Sequence, residues 1–540
     1  MKRICVLLIA LVFCFKIEAQ PIKYVRKNAH SAAAKADIEA MRKAFEIMRK
    51  MPCNDPLSWY FQGAIHHIPD SIFGQNLFCN QYQTKSQAHT AWSTCPHMQP
   101  EFTQYHFLTW HRLYIWHLEK IVRKLSGKID FALPYWNYNN ASTRTLPEQF
   151  RIPGSYEKNA LYEMSRSPTL MSGRPIDAGS KDGIVTNVKV CSTSNGKTNC
   201  RDTIMLMCTV PMGVALDTSY LWETNNIRHF SGELEDGVHN VIHDYVGGAV
   251  DSTDAATNIY NRIYQTSSPS LQGMMADVPS AGFDPIFFLH HANIDRLWTA
   301  WEHDFPNKKL TWNDFKKAGN WPYIFFDENG GMVTYKSLNE IFEKASNIDY
   351  TYDYLQKKPS GTAKSINSLV ALNSLPKSVN ILDDINLNTE LKGTYNQFYL
   401  ELQKPIQLAD NKSFELEITL AIQGASETKL LISLNDDDTK AICDLDKKKI
   451  VGLAGLFGSG HHHDNSSKSS SNEHHMGMKN HGTMHHESFE MKELLYDITT
   501  ELKAQNINNT KKLEITIWQL LQEKDAKIFV KNIIIKEYNW

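Results

Sequence analysis

Two histidines in "VHNVIHDY", His239 and His243, stand four residues apart and share one face of any helix that carries them. Two imidazoles at that spacing can hold one metal ion. A glutamate directly after the first histidine would make the pair a zinc-protease motif, but Asn240 stands there and excludes that chemistry. "DPIFFLHHANIDRLW" adds His290 and His291 inside a strongly apolar run, where an imidazole lacking a partner would be costly. One of the two needs a partner, and a metal is a natural one. "YFQGAIHH" and "CPHMQPEFTQYHFLTWHR" bring further histidines, again among aromatic residues. Donor sets rich in imidazole and without thiolate or carboxylate pairs suit copper, with zinc and iron as alternatives. Six imidazoles in two groups of three would hold two ions.

Helices must position these groups. "SAAAKADIEAMRKAFEIMRKM" (31–51) has helix-forming composition and apolar residues three and four apart. "YHFLTWHRLYIWHLEKIVRKL" (105–125) and "IFFLHHANIDRLWTAWEHDF" (286–305) read as longer helices, with a short one around "VHNVIHDYV". Loops rich in Gly, Pro, Ser and Asn separate them, so the front half is a mainly α domain with a helix-bundle core. Near residue 355 the composition changes. "QKKPSGTAKSINS" reads as a linker, and β-rich runs such as "SFELEITLAI" and "KKLEITIWQLL" follow, spaced by turns. They predict an all-β sandwich of about 160 residues, an ordinary domain size.

At 540 residues the chain is too long for one ordinary domain, and its 42% hydrophobic content allows a large core. A net charge of -2 gives no sign of a nucleic-acid or membrane-surface partner and favours a small molecule. Lys2 and Arg3, the apolar run Ile4 to Phe15 and a small residue at Ala19 form a cleavable export signal, too short for a membrane anchor. The expected organisation is a signal at 1–19, a metal-binding domain at 20–355, a linker at 356–376 and the sandwich at 377–540, secreted or periplasmic. Of nine cysteines, Cys5 and Cys14 leave with the signal. Export permits disulfides, Cys53 with Cys79 and pairs among Cys191, Cys200 and Cys208 being plausible. An odd remainder leaves one cysteine for other work, and Cys95 is the candidate.

The histidine motifs, together with "FALPYWNY", "GELEDGVHNVIHDYVGG", "FFDENGGMVTY" and "YTYDYL", resemble the tyrosinase and polyphenol oxidase family, and most of all its plant-type members. The resemblance runs from about Tyr24 to Tyr354. It implies two copper ions, each held by three histidines: His66, His97 and His111 for the first, His239, His243 and His291 for the second. It favours His66 over His67. The family usually places its second ligand nine residues before the third, where this chain has Phe102. "CPH" resembles a Cys-x-His pattern of fungal and molluscan members, which implies a thioether from Cys95 to His97. The rival ligand is His106, five residues before His111 and about 140° away around a helix. His290 is then a hydrogen-bonding or packing neighbour, and Asp295 pairs with an arginine or a backbone donor. His89, His117, His229 and His303 read as surface or satisfied core.

The same resemblance implies O2 as co-substrate and small phenols as partners. The expected activity is hydroxylation of monophenols and oxidation of o-diphenols to o-quinones. Glu235 and Asn240 match the family's water-holding pair, Glu235 being open to a plainer reading as a helix-terminal charge. Val278 falls at the pocket entrance, and the β-domain resembles a shield that keeps the enzyme latent until a protease removes it. Residues 461–486 carry eight of the 22 histidines in a Ser/Asn-rich setting that cannot bury a core. His461, His462, His463, His474, His475, Met476, Met478, His481, Met484, His485 and His486 could load copper into the site, or form a solvated loop with incidental metal affinity. A catechol or o-aminophenol oxidase without monophenolase activity, and a haemocyanin-like O2 carrier, are the other readings of the motifs.

Overall fold

The computed structural model describes residues 22–67, 91, 95–96, 103–155, 157–178, 184–194, 197–207, 216–224, 226–247, 273–276, 278–319, 321–357, 377–393, 395–423, 429–435, 445–455, 489–521 and 527–539. The expected signal, most of the linker, His89, His97, Cys79, Cys208 and the His/Met-rich stretch lie outside them.

Helices α1 (Lys35–Lys50), α2 (Trp59–His66), α3 (Thr103–Ser126), α4 (Ile227–Glu233), α5 (Asn240–Gly247), α6 (Ile286–Asp304) and α7 (Leu338–Ser346) build the front half. Three of these starts have a side-chain cap. Ser58 accepts from the Phe61 amide before α2, Asn226 accepts from the His229 amide before α4, and Ser337 with Glu340 makes a capping box at α7. The apolar stripe of α3 (Phe107, Trp110, Leu113, Tyr114, Leu118, Ile121) faces α1 and α6 in one core with Phe45, Trp59, Phe287 and Trp301. Short strands tie the ends of this region together. β1 (Tyr24–Arg26) pairs in parallel with the distant strand Tyr350–Tyr352, and two hairpins, β2 (Ile184–Ser194) with β3 (Lys197–Met207) and β4 (Tyr323–Phe326) with β5 (Met332–Tyr335), lie between. The Tyr350–Tyr352 strand is β6. No helix among the described residues is long and apolar enough to cross a membrane.

The back half is the expected sandwich: two four-stranded antiparallel sheets. Its strands are β7 (Ser378–Glu390), β8 (Tyr395–Ile406), β9 (Lys412–Gln423), β10 (Lys429–Leu434), β11 (Ile450–Gly455), β12 (Glu490–Asp497), β13 (Thr510–Leu521) and β14 (Lys527–Asn539). One sheet runs β11-β10-β13-β8 and the other β12-β9-β14-β7. Between them Leu416, Ile418, Leu420, Ile515, Ile517, Ile533 and Ile535 form a second core. A strand with one face in water alternates in burial, as β14 does. β9 is instead buried almost throughout, and its Glu415 and Glu417 are covered. The cover is the helical region, since His229 on α4 bonds Glu415 directly.

Candidate metal centre

The chain from α4 to α5 changes pitch at the residues of interest. Leu234–His239 forms a π-helical turn between the two α-helices. Such turns insert an extra residue and recur at functional sites. The turn carries Glu235 and ends on His239, and α5 supplies His243. His290 and His291 lie in the first half of α6, His111 in the middle of α3. His66 closes α2, where His67 turns to extended backbone. Gly63 permits that placement: a Cβ there would stand 2.5 Å from the Phe283 ring, which packs against α2.

Two buried donor groups result. His66, His111 and the Cys95 sulfur bring donor atoms within 4.8 Å of one another, and His239, His243, His290 and His291 form a second such group. They adjoin through His111 and His291, whose rings stack at 4.2 Å between centroids and 5° between planes. Across the second group, His243 Nε2 and His291 Nε2 are 3.4 Å apart.

Hydrogen bonds fix which nitrogen faces inward. His66 Nδ1 donates to the Val278 carbonyl at 3.1 Å, His111 Nδ1 to the Phe107 carbonyl at 2.8 Å, and His243 Nδ1 to the Met275 carbonyl at 2.7 Å. A carbonyl only accepts, so each Nδ1 holds the proton and each Nε2 offers its lone pair. His239 Nδ1 donates to Asn240 Oδ1 at 2.7 Å. Outer partners of this kind orient metal-binding imidazoles. Burial, reinforced by neighbouring imidazoles, holds His290 and His291 well below the ordinary histidine range, so both are neutral donors. Phe287 lies 4.1 Å from the His291 ring and Phe107 4.8 Å from the His239 ring, which keeps the centre apolar. Neutral imidazoles, locked in tautomer and shielded from water, fit a pair of copper ions.

Among the residues singled out in the sequence, His66, His111, His239, His243 and His291 converge here, and His97 lies outside the described residues. His106 is held away. Its Nδ1 meets the Tyr323 hydroxyl at 2.7 Å and its Nε2 donates to the Gly319 carbonyl at 2.8 Å. Burial also lowers its pKa to about 4. Cys95 is buried with Sγ 3.3 Å from His111 Nε2, and its thiol is pushed well up by burial and then by the Glu235 carboxylate. Glu235 itself is buried on the turn that ends on His239. Val278 is buried at the start of the one-turn helix Val278–Ala281.

Around the centre, Asp295 has the expected arginine partners and His290 the expected hydrogen bond. His290 stands inside the second donor group, its Nδ1 3.0 Å from the Tyr138 hydroxyl of "FALPYWNY" and its Nε2 without a hydrogen-bond partner among the described residues. Asp295, one turn beyond His291, accepts from two arginines and two tyrosines. His117 meets Tyr335, His303 is exposed, and His229 pairs with Glu415 across the two halves of the molecule. Beside Glu235, Asp236 is pushed up to about 6, chiefly by burial, against the pull of Lys492 from β12.

Residues 56–304 match the common central domain of tyrosinase. The chloroplastic polyphenol oxidase of Malus domestica is 27% identical over 375 residues, 68% of this chain and 55% of that protein. Polyphenol oxidase A1 of Vicia faba is 30% identical over 341 residues, 58% and 45% respectively, and a tyrosinase of Hahella sp. (strain CCB-MM4) is 26% identical over 314 residues, 54% and 55%. The chain spans about half the length of the curated relatives it matches. In fold it is similar to latent apple tyrosinase, with a TM-score of 0.60 and 19% identity over 97% of this chain and 99% of that one. A latent aurone synthase gives 0.60 and 17% over 96% and 90%.

Proposed function

From the premise that the chain belongs to the tyrosinase and polyphenol oxidase family, we propose that it is a copper-dependent phenol oxidase that hydroxylates monophenols and oxidises o-diphenols to o-quinones. The observation that carries this reading is the junction of two buried imidazole groups at the stacked His111 and His291. Copper bound there supplies the electron transfer by which two o-diphenols and one O2 become two o-quinones and two waters. His66, His97 and His111 hold one ion; His239, His243 and His291 hold the other.

The chain's own residues prepare the substrate. A phenol must lose its proton to bind a metal, and Glu235, on the turn that ends on His239, holds the water that takes it. Asn240 orients His239 through the bond at Nδ1 and completes the water site with Glu235. Val278 leaves a wider entrance than an aromatic residue would, which favours monophenols. Cys95 forms a thioether that fixes a ring of the first group, with His97 as its partner and His111 as the nearest described alternative.

The β-domain, residues 377–540, keeps the enzyme latent. β11 rests on the π-helical turn and α5, β12 rests on α4, and the proteins of similar fold include latent forms. Cleavage within 356–376 releases it, after export guided by residues 1–19. The deciding measurement joins copper stoichiometry to substrate choice. About two coppers per chain, with o-quinone from DOPA and from tyrosine, are expected. DOPA oxidation without tyrosine hydroxylation makes the protein a catechol oxidase, and two coppers without turnover make it an O2 carrier.

A further inference from the structure

Among the described residues, three ion pairs that differ in kind join the two halves of the molecule. Arg228 reaches Glu493 at 2.6 Å, with side chains 44% and 23% exposed. His229 meets Glu415 at 2.5 Å on a surface that Lys536 and Tyr538 also share. Both of these grip α4, before the chain changes pitch. Lys492 is different: its ammonium meets Asp236 at 2.5 Å, with side chains 6% and 12% exposed, and Asp236 lies within the π-helical turn. It stands between Glu235 and the ligand histidine three residues on.

A π-helical turn is a strained choice beside the α form, and it persists where its surroundings hold it. Relaxing Leu234–His239 to α pitch would turn Glu235 by about 70° and Asp236 by about 55° relative to His239, since a π turn advances about 18° less per residue than an α turn. Asp236 can turn only if its carboxylate leaves Lys492, and a buried charge stripped of its partner is strongly disfavoured. The pair therefore fixes the rotational phase of the turn. The other half of the pair belongs to β12, so the constraint exists only while the β-domain is docked.

We propose that Lys492 is a positioning residue for the metal centre: through Asp236 it holds the π-helical turn in the phase that presents Glu235 and His239, and docking of the β-domain reaches the centre through this buried pair. The β-domain is on this account a brace as well as a cover, and its removal changes the geometry of the site it uncovers. The inference rests on the reading of the centre given above, but its test does not.

Amide hydrogen exchange is measured over residues 230–245 in the metal-free full-length chain. Lys492→Met is expected to speed exchange at 234–240 at least about tenfold, because the opened turn no longer separates a buried charge from its partner. Lys492→Arg keeps the charge and should restore protection. Arg228→Ala loosens the same interface at its exposed pair and should leave the turn protected. Wild-type protection in Lys492→Met overturns the proposal, as does equal opening in Arg228→Ala or no rescue by Lys492→Arg. Should Lys492→Met fail to fold, Asp236→Asn with Lys492→Met removes both charges. Fast exchange in that chain supports the brace, and wild-type protection overturns it. Loss of o-quinone formation without loss of the exchange pattern would refute the proposed activity and leave this inference standing.

Discussion

Replacing Asp295 by asparagine keeps the side chain's shape and removes one charge from the most heavily shared carboxylate behind the centre. Its Oδ1 accepts from Arg112 Nε at 2.5 Å, and its Oδ2 from Arg26 at 3.2 Å, Tyr350 at 2.6 Å and Tyr352 at 2.5 Å. Arg112 follows His111 on α3, and Asp295 itself lies one turn beyond His291 on α6, so the pair sets the spacing of the two histidine-bearing helices. Arg26 adds β1 and, through its fork onto Glu119, a second contact to α3. Asparagine would leave two buried guanidiniums facing an amide. Removing one partner of a buried ion pair costs about 3–5 kcal/mol. At roughly 2 °C per kcal/mol for a domain of this size, the melting temperature of the metal-free chain should fall by roughly 6–10 °C. The pH dependence follows from the sign of the shift. Burial alone would raise the Asp295 pKa, but Arg112 and Arg26 outweigh it and hold it below the ordinary aspartate value. A depressed carboxylate stabilises the fold above its unfolded pKa of about 3.9 and loses that contribution as pH falls through the folded pKa. The gap between wild type and Asp295→Asn should therefore be constant above about pH 5 and close in acid. Urea and thermal melts across that range measure it. A loss under about 1 kcal/mol, the range of an exposed pair, or a gap unchanged at pH 3, would show that the carboxylate charge does not hold the helices.

Three further outcomes are expected. Val278→Phe narrows the entrance while its carbonyl still accepts from His66, so tyrosine hydroxylation should fall about tenfold more than DOPA oxidation, a difference of about 1.4 kcal/mol in barrier; equal losses would remove Val278 from the entrance. The register of the β2–β3 hairpin sets Cys191 opposite Cys200, where antiparallel partners stand about 4.5–5.5 Å apart at Cα, within disulfide range. Non-reducing peptide mapping should recover that pair, and Cys208 linked to either residue would contradict it. Deleting residues 461–486 should slow copper uptake by the metal-free chain without changing the final stoichiometry, whereas an unchanged rate assigns the stretch to solvent.

The helices and strands were readable because their patterns are local. The apolar stripe of α3 repeats every three to four residues, and β14 alternates, so each announces its own class. β9 has apolar residues with glutamates interleaved, which reads as a half-exposed strand; only the docked helical region explains why Glu415 and Glu417 are covered. The β2–β3 hairpin carries Thr, Asn and Lys between its valines, a polarity that gave no strand signal. The π-helical turn has no sequence mark at all, since i and i+4 spacing from Glu235 to His239 looks like ordinary helix.

The centre divides along the same line. His239 and His243 announce themselves by spacing, and His290 and His291 by an apolar setting that an imidazole does not tolerate alone. Helix phase sets His106 about 140° from His111, but what holds it away from the centre is the carbonyl of Gly319 and the hydroxyl of Tyr323, more than two hundred residues away. His229 is a satisfied buried histidine, as expected, but its partner was not legible locally. It reads as an ordinary histidine until Glu415 meets it across the interface. Charges buried between two folded halves carry no periodicity, because each half alone would leave them in water. Their cost appears only on docking, and pairing must answer it. That places the information about how the β-domain acts on the centre in the pairs Lys492–Asp236 and His229–Glu415, where substitutions separate a cover from a brace.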